Sequence, residues 1–205
     1  MPVKCGRPTK GTEQLSQERL LETAKQLFLE YSYANLTMET IAKEAHVSLR
    51  TIYNLFGGKA GLFGAVIKQY GASFPNILSQ SGDCAEVLTL FGVEFLKNMT
   101  QPDILRIRAI LVAESPRFPE LAQEFYQHGP GRTRVLLADF FKKHQANGFI
   151  IHVDPLFLAD QYMSLLRGER YYRLQLGLEP SPDLKTVNEW AEDVTNLFLK
   201  GCIIS

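Results

Sequence analysis

Residues 37–56 read TMETIAKEAHVSLRTIYNLF, and this stretch decides the fold. Thr37 and Ser48 are residue types that cap helix N-termini, and each precedes a short run with helical periodicity. In the second run Leu49, Ile52 and Phe56 repeat at steps of three and four, which places them on one face of a helix. Two short helices joined by a tight turn predict a helix-turn-helix.

Helices are also predicted on both sides of this segment. An amphipathic helix over about residues 17–33, with Ser16 as its N-cap, precedes it. Gly57 ends the helix after the turn, and a further helix starts at Lys59. After a break at Phe74-Pro75, helices are expected at about 83–99, 103–114, 119–127, 132–147, 155–176 and 182–200. The apolar run 149–153 is interpreted as a connection and not as a strand, so the predicted fold is all-α.

Composition excludes several classes of protein. The chain has 205 residues, of which 45% are hydrophobic, enough for one large domain or two small ones with a sizeable core. Its longest apolar runs fall far short of the roughly 18 residues that a bilayer span needs. Cys5, Cys84 and Cys202 are scattered and odd in number, which fits a reduced, intracellular setting. No secretory signal is recognised, and a cytoplasmic location is expected.

Patterns for catalysis or metal binding are not found in the sequence. The four histidines lack metal-ligand spacing, and no nucleophile motif or phosphate-binding loop is present. We therefore expect neither an enzyme nor a metal or other cofactor.

The neutral total charge hides an uneven distribution. Residues 1–70 carry nine Lys or Arg against six Asp or Glu, and the remainder carries thirteen against sixteen. A basic N-terminal third on an acidic body is the distribution expected when one end of a protein meets a polyanion.

The segment from Ala24 to Phe63 resembles the DNA-binding domain of the tetracycline-repressor (TetR) family. The resemblance is carried by TMETIAKEA at 37–45, by Val47-Ser48, by TIYNLF at 51–56, and by Lys59 with LF at 62–63. It covers about residues 15–70, and the helical remainder has the length of such a regulator's second domain. Residues 119–177 resemble, more weakly, the C-terminal domain of AefR-type members.

The resemblance implies a division of the chain into four segments. These are a flexible basic arm over residues 1–14, a three-helix DNA-binding domain over 15–58, a connecting helix over 59–75, and a helical ligand-binding and dimerisation domain over 76–205. The arm carries Lys4, Arg7 and Lys10, which can follow the DNA backbone or enter the minor groove. Disorder without a function is the alternative for the arm.

DNA recognition is expected at the polar face of the helix that starts at Leu49. In the major groove, Arg50 can address guanine, Asn54 can address adenine, and the Thr51 methyl group can contact thymine. The family pattern implies phosphate contacts, which position the protein without reading sequence, from Thr37, Ser48, Tyr53 and Lys59. Exposed polar residues and helix caps also occur without such roles, so the combined spacing carries this prediction.

Two positions depart from the family pattern. His46 lies in the turn where glycine is usual, and we expect it to adopt a left-handed conformation. Gly57, Gly58 and Gly61 flank Lys59, where the family commonly has a polar residue before Lys and Glu after it. Because interior glycines weaken helices, we hypothesise that they loosen the relay between ligand and DNA.

The C-terminal half is expected to form the dimer. Apolar residues of the last helix alternate at steps of three and four, as in a heptad seam. Family resemblance implies a four-helix bundle with a second copy, and burial within one chain is the alternative. The predicted interface comprises Leu158, Tyr162, Leu165, Leu184, Val187, Trp190, Ala191, Val194 and Phe198.

A small-molecule pocket is expected in the same half. Its predicted lining is aromatic and apolar with a few polar groups, and comprises Phe91, Phe95, Arg108, Leu111, Tyr126, Phe140 and Tyr162. Arg108 can face an anionic ligand or pair with an acid, and each aromatic residue can instead belong to the core. Arg167, Arg170 and Arg173 are interpreted as a solvated edge or a dimer rim.

These observations predict a homodimeric transcriptional regulator, a repressor that binds an inverted-repeat operator in double-stranded DNA. A small, largely apolar or aromatic effector would release it, although activation by ligand or a ligand-independent member stays open. The alternative is a helical small-molecule-binding protein without sequence-specific DNA binding. A non-specific architectural DNA binder is a third interpretation, which the modest N-terminal charge disfavours.

Overall fold

The computed structural model describes residues 10–203, with side chains from Leu15 onward. Every regular element in these residues is an α-helix, which confirms the predicted class, and no helix there is long and apolar enough to cross a membrane. The chain divides into two compact units, Met1–Val66 and Ile67–Ser205. The helices are α1 (Lys10–Glu30), α2 (Met38–Glu44), α3 (Leu49–Phe56), α4 (Lys59–Tyr70), α5 (Phe74–Leu78), α6 (Cys84–Met99), α7 (Pro102–Glu114), α8 (Pro119–His128), α9 (Pro130–Ala146), α10 (Pro155–Gln175) and α11 (Leu184–Lys200).

The first unit packs α1, α2, α3 and the start of α4 around an apolar core. Leu20 of α1, Ile41 of α2 and Ile52 of α3 are almost completely buried. Phe28 packs edge-on against Phe63, with their ring centroids 5.2 Å apart. The faces that helical periodicity marks as apolar are therefore the faces that are buried.

Helix α1 begins earlier than its sequence pattern suggests. It starts at Lys10, so that Ser16, the predicted N-cap, lies inside the helix. Residues 10–14 are thus part of α1 and not of the predicted arm. Glu13, Gln14 and Leu15 favour helix, and a serine inside a helix costs too little to prevent the helix from extending past it toward the N-terminus. Lys4 and Arg7 of the arm lie outside the described residues.

The second unit has its main core between α6, α9, α10 and α11. Phe91 and Tyr162 have no exposed surface there. The Tyr162 hydroxyl donates to the carbonyl oxygen of Leu88 at 2.9 Å and lies 2.7 Å from Oγ1 of Thr195. Burial raises the pKa of Tyr162, against the opposing effect of its hydrogen bond with Thr195. The hydroxyl is therefore satisfied inside the core, as buried polar groups must be.

Two connecting segments of the second unit can be compared with their predicted form. The predicted break near Phe74-Pro75 is present, because α4 ends at Tyr70 and a new helix begins at Phe74. The short helix α5 itself was not predicted, and Pro75 lies in its first turn, where proline is tolerated. The run 149–153 forms no strand, as expected. Instead, Ile150 makes one isolated antiparallel bridge with Ile203.

Candidate DNA-binding surface and ligand cavity

Helices α2 and α3 are capped as the sequence predicts. Thr37 Oγ1 accepts a hydrogen bond from the backbone N–H of Thr40 at 3.1 Å, and Ser48 Oγ accepts one from Thr51 at 3.0 Å. Each cap also contacts the neighbouring hydroxyl, with 2.7 Å between Ser48 Oγ and Thr51 Oγ1. These caps fix where both helices start, while phosphate contact by Thr37 and Ser48 stays a prediction.

The turn between α2 and α3 depends on a left-handed residue. His46 has φ 55°, the only positive φ at a non-glycine residue in the described part of the chain. The backbone N–H of Val47 then donates to the carbonyl of Ala42 at 3.0 Å and closes the turn. The expected conformation of His46 is confirmed, and the helix-turn-helix is intact without glycine at this position.

One face of α3 is open and polar. Ile52 is fully buried, and Leu49 and Phe56 are partly buried. The exposed face carries the residues predicted to contact DNA, namely Arg50, Thr51, Tyr53 and Asn54. A buried anchor on one side and free hydrogen-bonding groups on the other are what major-groove recognition requires of a helix.

Lys59 has a structural role that the sequence pattern does not reveal. Its Nζ donates to the carbonyl oxygens of Tyr33 at 2.5 Å and Leu36 at 2.8 Å. The same ammonium lies over the Tyr33 ring, 4.2 Å from the centroid. Lys59 therefore ties the start of α4 to the loop between α1 and α2. Its predicted phosphate contact remains a prediction.

Gly61 is required by packing at the start of α4. A Cβ atom at this position would lie 2.0 Å from the carbonyl oxygen of Phe56, where no side chain fits. Gly57 ends α3 in the left-handed conformation, with φ 75°, as expected for its C-cap. The glycines thus allow the start of α4 to pack closely against the end of α3. This packing gives Gly61 a structural reason other than loosening the relay between ligand and DNA.

A cavity opens within the second unit. It contains about 520 Å³ of space between protein atoms, part of it open to solvent, and about 50 Å³ of that can hold the centre of a water molecule. Its wall is largely aromatic and aliphatic, and the lining includes Ile67, Tyr70, Phe74, Phe95, Asn98, Met99, Ile104, Arg108, Phe125, His128, Thr133 and Arg167.

Two arginines bring positive charge to this apolar cavity. The Arg108 guanidinium lies 5.7 Å from the Phe125 ring centroid, and that of Arg167 lies 5.9 Å from the Phe95 centroid. The Nε of each arginine is buried without a hydrogen-bond partner in the described part of the chain. Burial and the nearby charge of Arg108 lower the pKa of Arg167.

Arg167 corrects the interpretation of the basic edge on α10. Arg170 and Arg173 do lie at the surface, where they pair with Glu179 at 3.5 and 2.7 Å. Arg167 instead lines the cavity, and α10 is broken directly after it. Gly168 has φ 47° and ψ −166°, which interrupts the regular helix. After the break Tyr171 is buried, with its ring 5.6 Å from the Arg108 guanidinium.

Two of the seven predicted pocket residues, Phe95 and Arg108, line this cavity. Phe91, Phe140 and Tyr162 are buried in the core, Leu111 is half-buried away from the cavity, and Tyr126 is 55% exposed. Helical periodicity identifies a buried face but does not separate core from cavity wall. Phe74, Phe125 and Arg167 line the cavity but were not predicted to do so. The one sequence feature that distinguishes Arg167 from Arg170 and Arg173 is the glycine that follows it.

Most of the predicted dimer interface is buried inside this chain. Leu158, Tyr162, Val187, Ala191 and Phe198 belong to the core of the second unit, so the intramolecular alternative holds for them. The heptad pattern on α11 is satisfied mainly by packing against α6 of the same chain. Of the remaining positions Trp190 and Val194 are half-buried, and Leu165 and Leu184 are exposed. These exposed leucines stay candidates for an interface.

Comparisons with known proteins agree for both units of the chain. Residues 20–66 match the family described as bacterial regulatory proteins, tetR family, and residues 86–201 match the AefR-like transcriptional repressor C-terminal domain. The chain is 31% identical over 193 residues to YvkB, an uncharacterised HTH-type transcriptional regulator of Bacillus subtilis, covering 91% of this chain and 96% of YvkB.

Solved structures show the same relationship. The flavonoid-responsive regulator FrrA has 31% identity and a TM-score of 0.72, with 93% of this chain and 98% of FrrA covered. A TetR-family transcriptional regulator from Mesorhizobium loti shares the fold at 21% identity, with a TM-score of 0.77 and coverage of 96% and 100%. With its helix-turn-helix and its AefR-like second domain, the chain belongs to the TetR family of bacterial DNA-binding transcriptional regulators.

Proposed function

We propose that this chain is a dimeric repressor that binds an inverted-repeat operator through α3 and leaves it when a small molecule occupies the cavity of the second unit. The observation that carries the proposal is the exposed polar face of α3 on a capped helix-turn-helix. Such a protein acts on the bacterial chromosome, and therefore in the cytoplasm.

The contacts with DNA divide into base reading and positioning. Arg50 and Asn54 are proposed to hydrogen-bond with guanine and adenine, and Thr51 to contact a thymine methyl group. Around them Thr37, Ser48, Tyr53 and Lys59 are proposed to hold phosphates and fix the register. Two copies of α3 are needed to read two half-sites about 34 Å apart, so the operator is expected to be an inverted repeat read by a homodimer.

Ligand and DNA are proposed to communicate through α4. This helix starts at Lys59, which is bonded to the Tyr33 and Leu36 carbonyls, and ends at Tyr70, which lines the cavity together with Ile67. Because little of the cavity admits even a water molecule, a larger ligand must move its walls. A ligand that prefers the displaced α4 shifts the protein away from the DNA-binding conformation by that difference in affinity.

The wall of the cavity favours an apolar or aromatic effector. Phe74, Phe95 and Phe125 supply ring surfaces, and small-molecule sites are mostly apolar with few polar groups. FrrA, whose name describes it as flavonoid-responsive, supports an aromatic effector for this chain too.

Selection of bound sequences from random duplex DNA tests this proposal. The purified full chain is expected to enrich an inverted repeat at near-physiological salt. Arg50→Ala and Asn54→Ala should lose or alter that enrichment, whereas Arg19→Ala, which removes a positive charge from an exposed position of α1, should retain the same repeat. Binding without sequence preference would instead indicate an architectural DNA binder. Absence of binding even at low salt would favour the small-molecule-binding alternative.

A further inference from the structure

We infer that the effector is an anion, an aromatic or long-chain apolar molecule whose carboxylate or ionised phenol is held by Arg108 and Arg167. The inference rests on the proposed function, because it takes the cavity of the second unit as the effector site. It adds the charge and the recognition group of that effector.

Neither arginine is neutralised by another group among the described residues. Among the described residues no carboxylate forms an ion pair with Arg108 or Arg167, and both Nε–H groups are buried without an acceptor there. Arginine does not lose its proton in proteins, so these charges persist. A buried donor without an acceptor is costly, and these two Nε–H groups indicate that an acceptor arrives from outside the chain.

The neighbouring acids already pair with other basic residues. Asp160 accepts two hydrogen bonds from Arg134, at 2.6 and 2.9 Å. Glu124 lies 3.2 Å from the His128 ring nitrogen, and Glu94 accepts from Lys97 at 3.0 Å. The cavity therefore keeps an excess of positive charge that a cationic or neutral effector would not balance.

The backbone holds the charges of both Arg108 and Arg167 at the cavity. The break at Gly168 separates Arg167 from the surface arginines of α10 and buries Tyr171 against Arg108. The hydroxyl of Tyr171 is also buried without a partner, and both guanidiniums act on it electrostatically. Three polar groups with unused hydrogen-bonding capacity are thus brought together in one region.

The chemistry of these groups defines the ligand class. The planar guanidinium donates two parallel N–H bonds to a carboxylate, so two arginines can bind one acidic group firmly. Phe95, Phe125 and Ile104 beside them accept an apolar body and reject a highly hydrated one. The combination selects an apolar acid, such as an aryl carboxylate, a fatty acid or an acidic phenol.

Matched acid and amide pairs test the inference directly. Isothermal titration of the full chain, at fixed ionic strength and pH 7.5, would use 2-naphthoate against 2-naphthamide and decanoate against decanamide. In at least one pair the acid should bind at least about tenfold more tightly than its amide, the preference expected for a charge-assisted hydrogen bond. This comparison uses the unaltered protein, so it does not depend on any variant folding.

Variants then locate the charge that is recognised. Arg108→Gln and Arg167→Gln should each remove most of the preference for the acid. Arg106→Gln, which changes an exposed arginine two positions earlier on α7, should leave the preference unchanged. Equal or tighter binding of the amides, no binding by any of the four compounds, or a preference that survives both cavity variants would overturn the inference.

Operator release separates this inference from the proposed function. If an acid binds with the expected preference but leaves the protein on its operator, the release mechanism fails and the anionic site stands. If a neutral compound binds the cavity and releases the operator, the release mechanism stands and the anionic effector fails.

Discussion

The Nζ atom of Lys59 donates a hydrogen bond of 2.5 Å to the Tyr33 carbonyl oxygen and lies 4.2 Å from the centre of the Tyr33 ring. With the second bond to Leu36, this one side chain holds the start of α4 against the loop between α1 and α2. We therefore expect Lys59→Ala to lower the free energy of unfolding by about 2 kcal/mol, since it removes charge-assisted hydrogen bonds and leaves two carbonyls without this donor.

Urea denaturation of the full chain checks this prediction, and Lys43→Ala at an exposed position of α2 is the matched control. The control should cost less than about 1 kcal/mol, the usual limit for a charge near a helix end. If Lys59→Ala is no more destabilising than the control but still weakens DNA binding, Lys59 acts only on phosphate.

Gly61→Ala is expected to be strongly destabilising, by about 2 kcal/mol or more, because the new methyl group would overlap the Phe56 carbonyl oxygen. The thermal transition monitored by circular dichroism measures this. Gly201→Ala is the comparison, since a Cβ there meets only the Phe198 carbonyl oxygen at 3.5 Å. A neutral or stabilising Gly61→Ala would restore the hypothesis that this glycine loosens the helix.

Local signals were sufficient to predict the helix-turn-helix. The caps at Thr37, Ser48 and Gly57 each depend only on residues within about one helical turn of the cap, whereas the left-handed His46 was expected from the family pattern. The bond from Lys59 to Tyr33 spans 26 positions and leaves no local pattern, so the sequence offered only the family role for this lysine. Helix ends follow from residues that are neighbours in sequence and could be predicted, whereas a contact between distant residues leaves no such local pattern.

Tyr162→Phe should cost about 1–2 kcal/mol of unfolding free energy and leave ligand binding unchanged. The variant removes the buried hydrogen bond to Leu88 and the contact with Thr195, while the ring stays in the core. Tyr172→Phe, at an exposed neighbour on α10, should change stability by less than about 0.5 kcal/mol. A large loss of effector affinity in Tyr162→Phe would instead place this residue at the ligand site.

Arg167→Met is expected to stabilise the ligand-free protein by about 1 kcal/mol, because it replaces a half-buried guanidinium, whose Nε–H has no acceptor among the described residues, by an apolar side chain of similar length. Arg170→Met on the same helix should not stabilise, since Arg170 pairs with Glu179 and lies over the Trp190 ring. Calorimetric melting of both variants without ligand decides the point. A destabilised Arg167→Met would show that the guanidinium is already satisfied within the fold.

The pocket and the interface were harder to predict than the helices that carry them. Arg167 and Arg170 are three positions apart, and an unbroken helix would keep them on neighbouring faces. The non-helical Gly168 changes the direction of the chain between them, and glycine in a sequence does not state which conformation it adopts. Likewise, Val187 and Ala191 form a heptad seam, but nothing local states whether its partner helix belongs to the same chain.

The spacing of the operator half-sites tests most directly that a dimer reads DNA through α3. The measurement is fluorescence anisotropy of the full chain on the selected inverted repeat and on the same repeat with about five base pairs inserted at its centre, half a turn of the duplex. We predict at least a hundredfold loss of affinity, because the second α3 would face the wrong side of the DNA. Equal affinity for both duplexes would contradict the account.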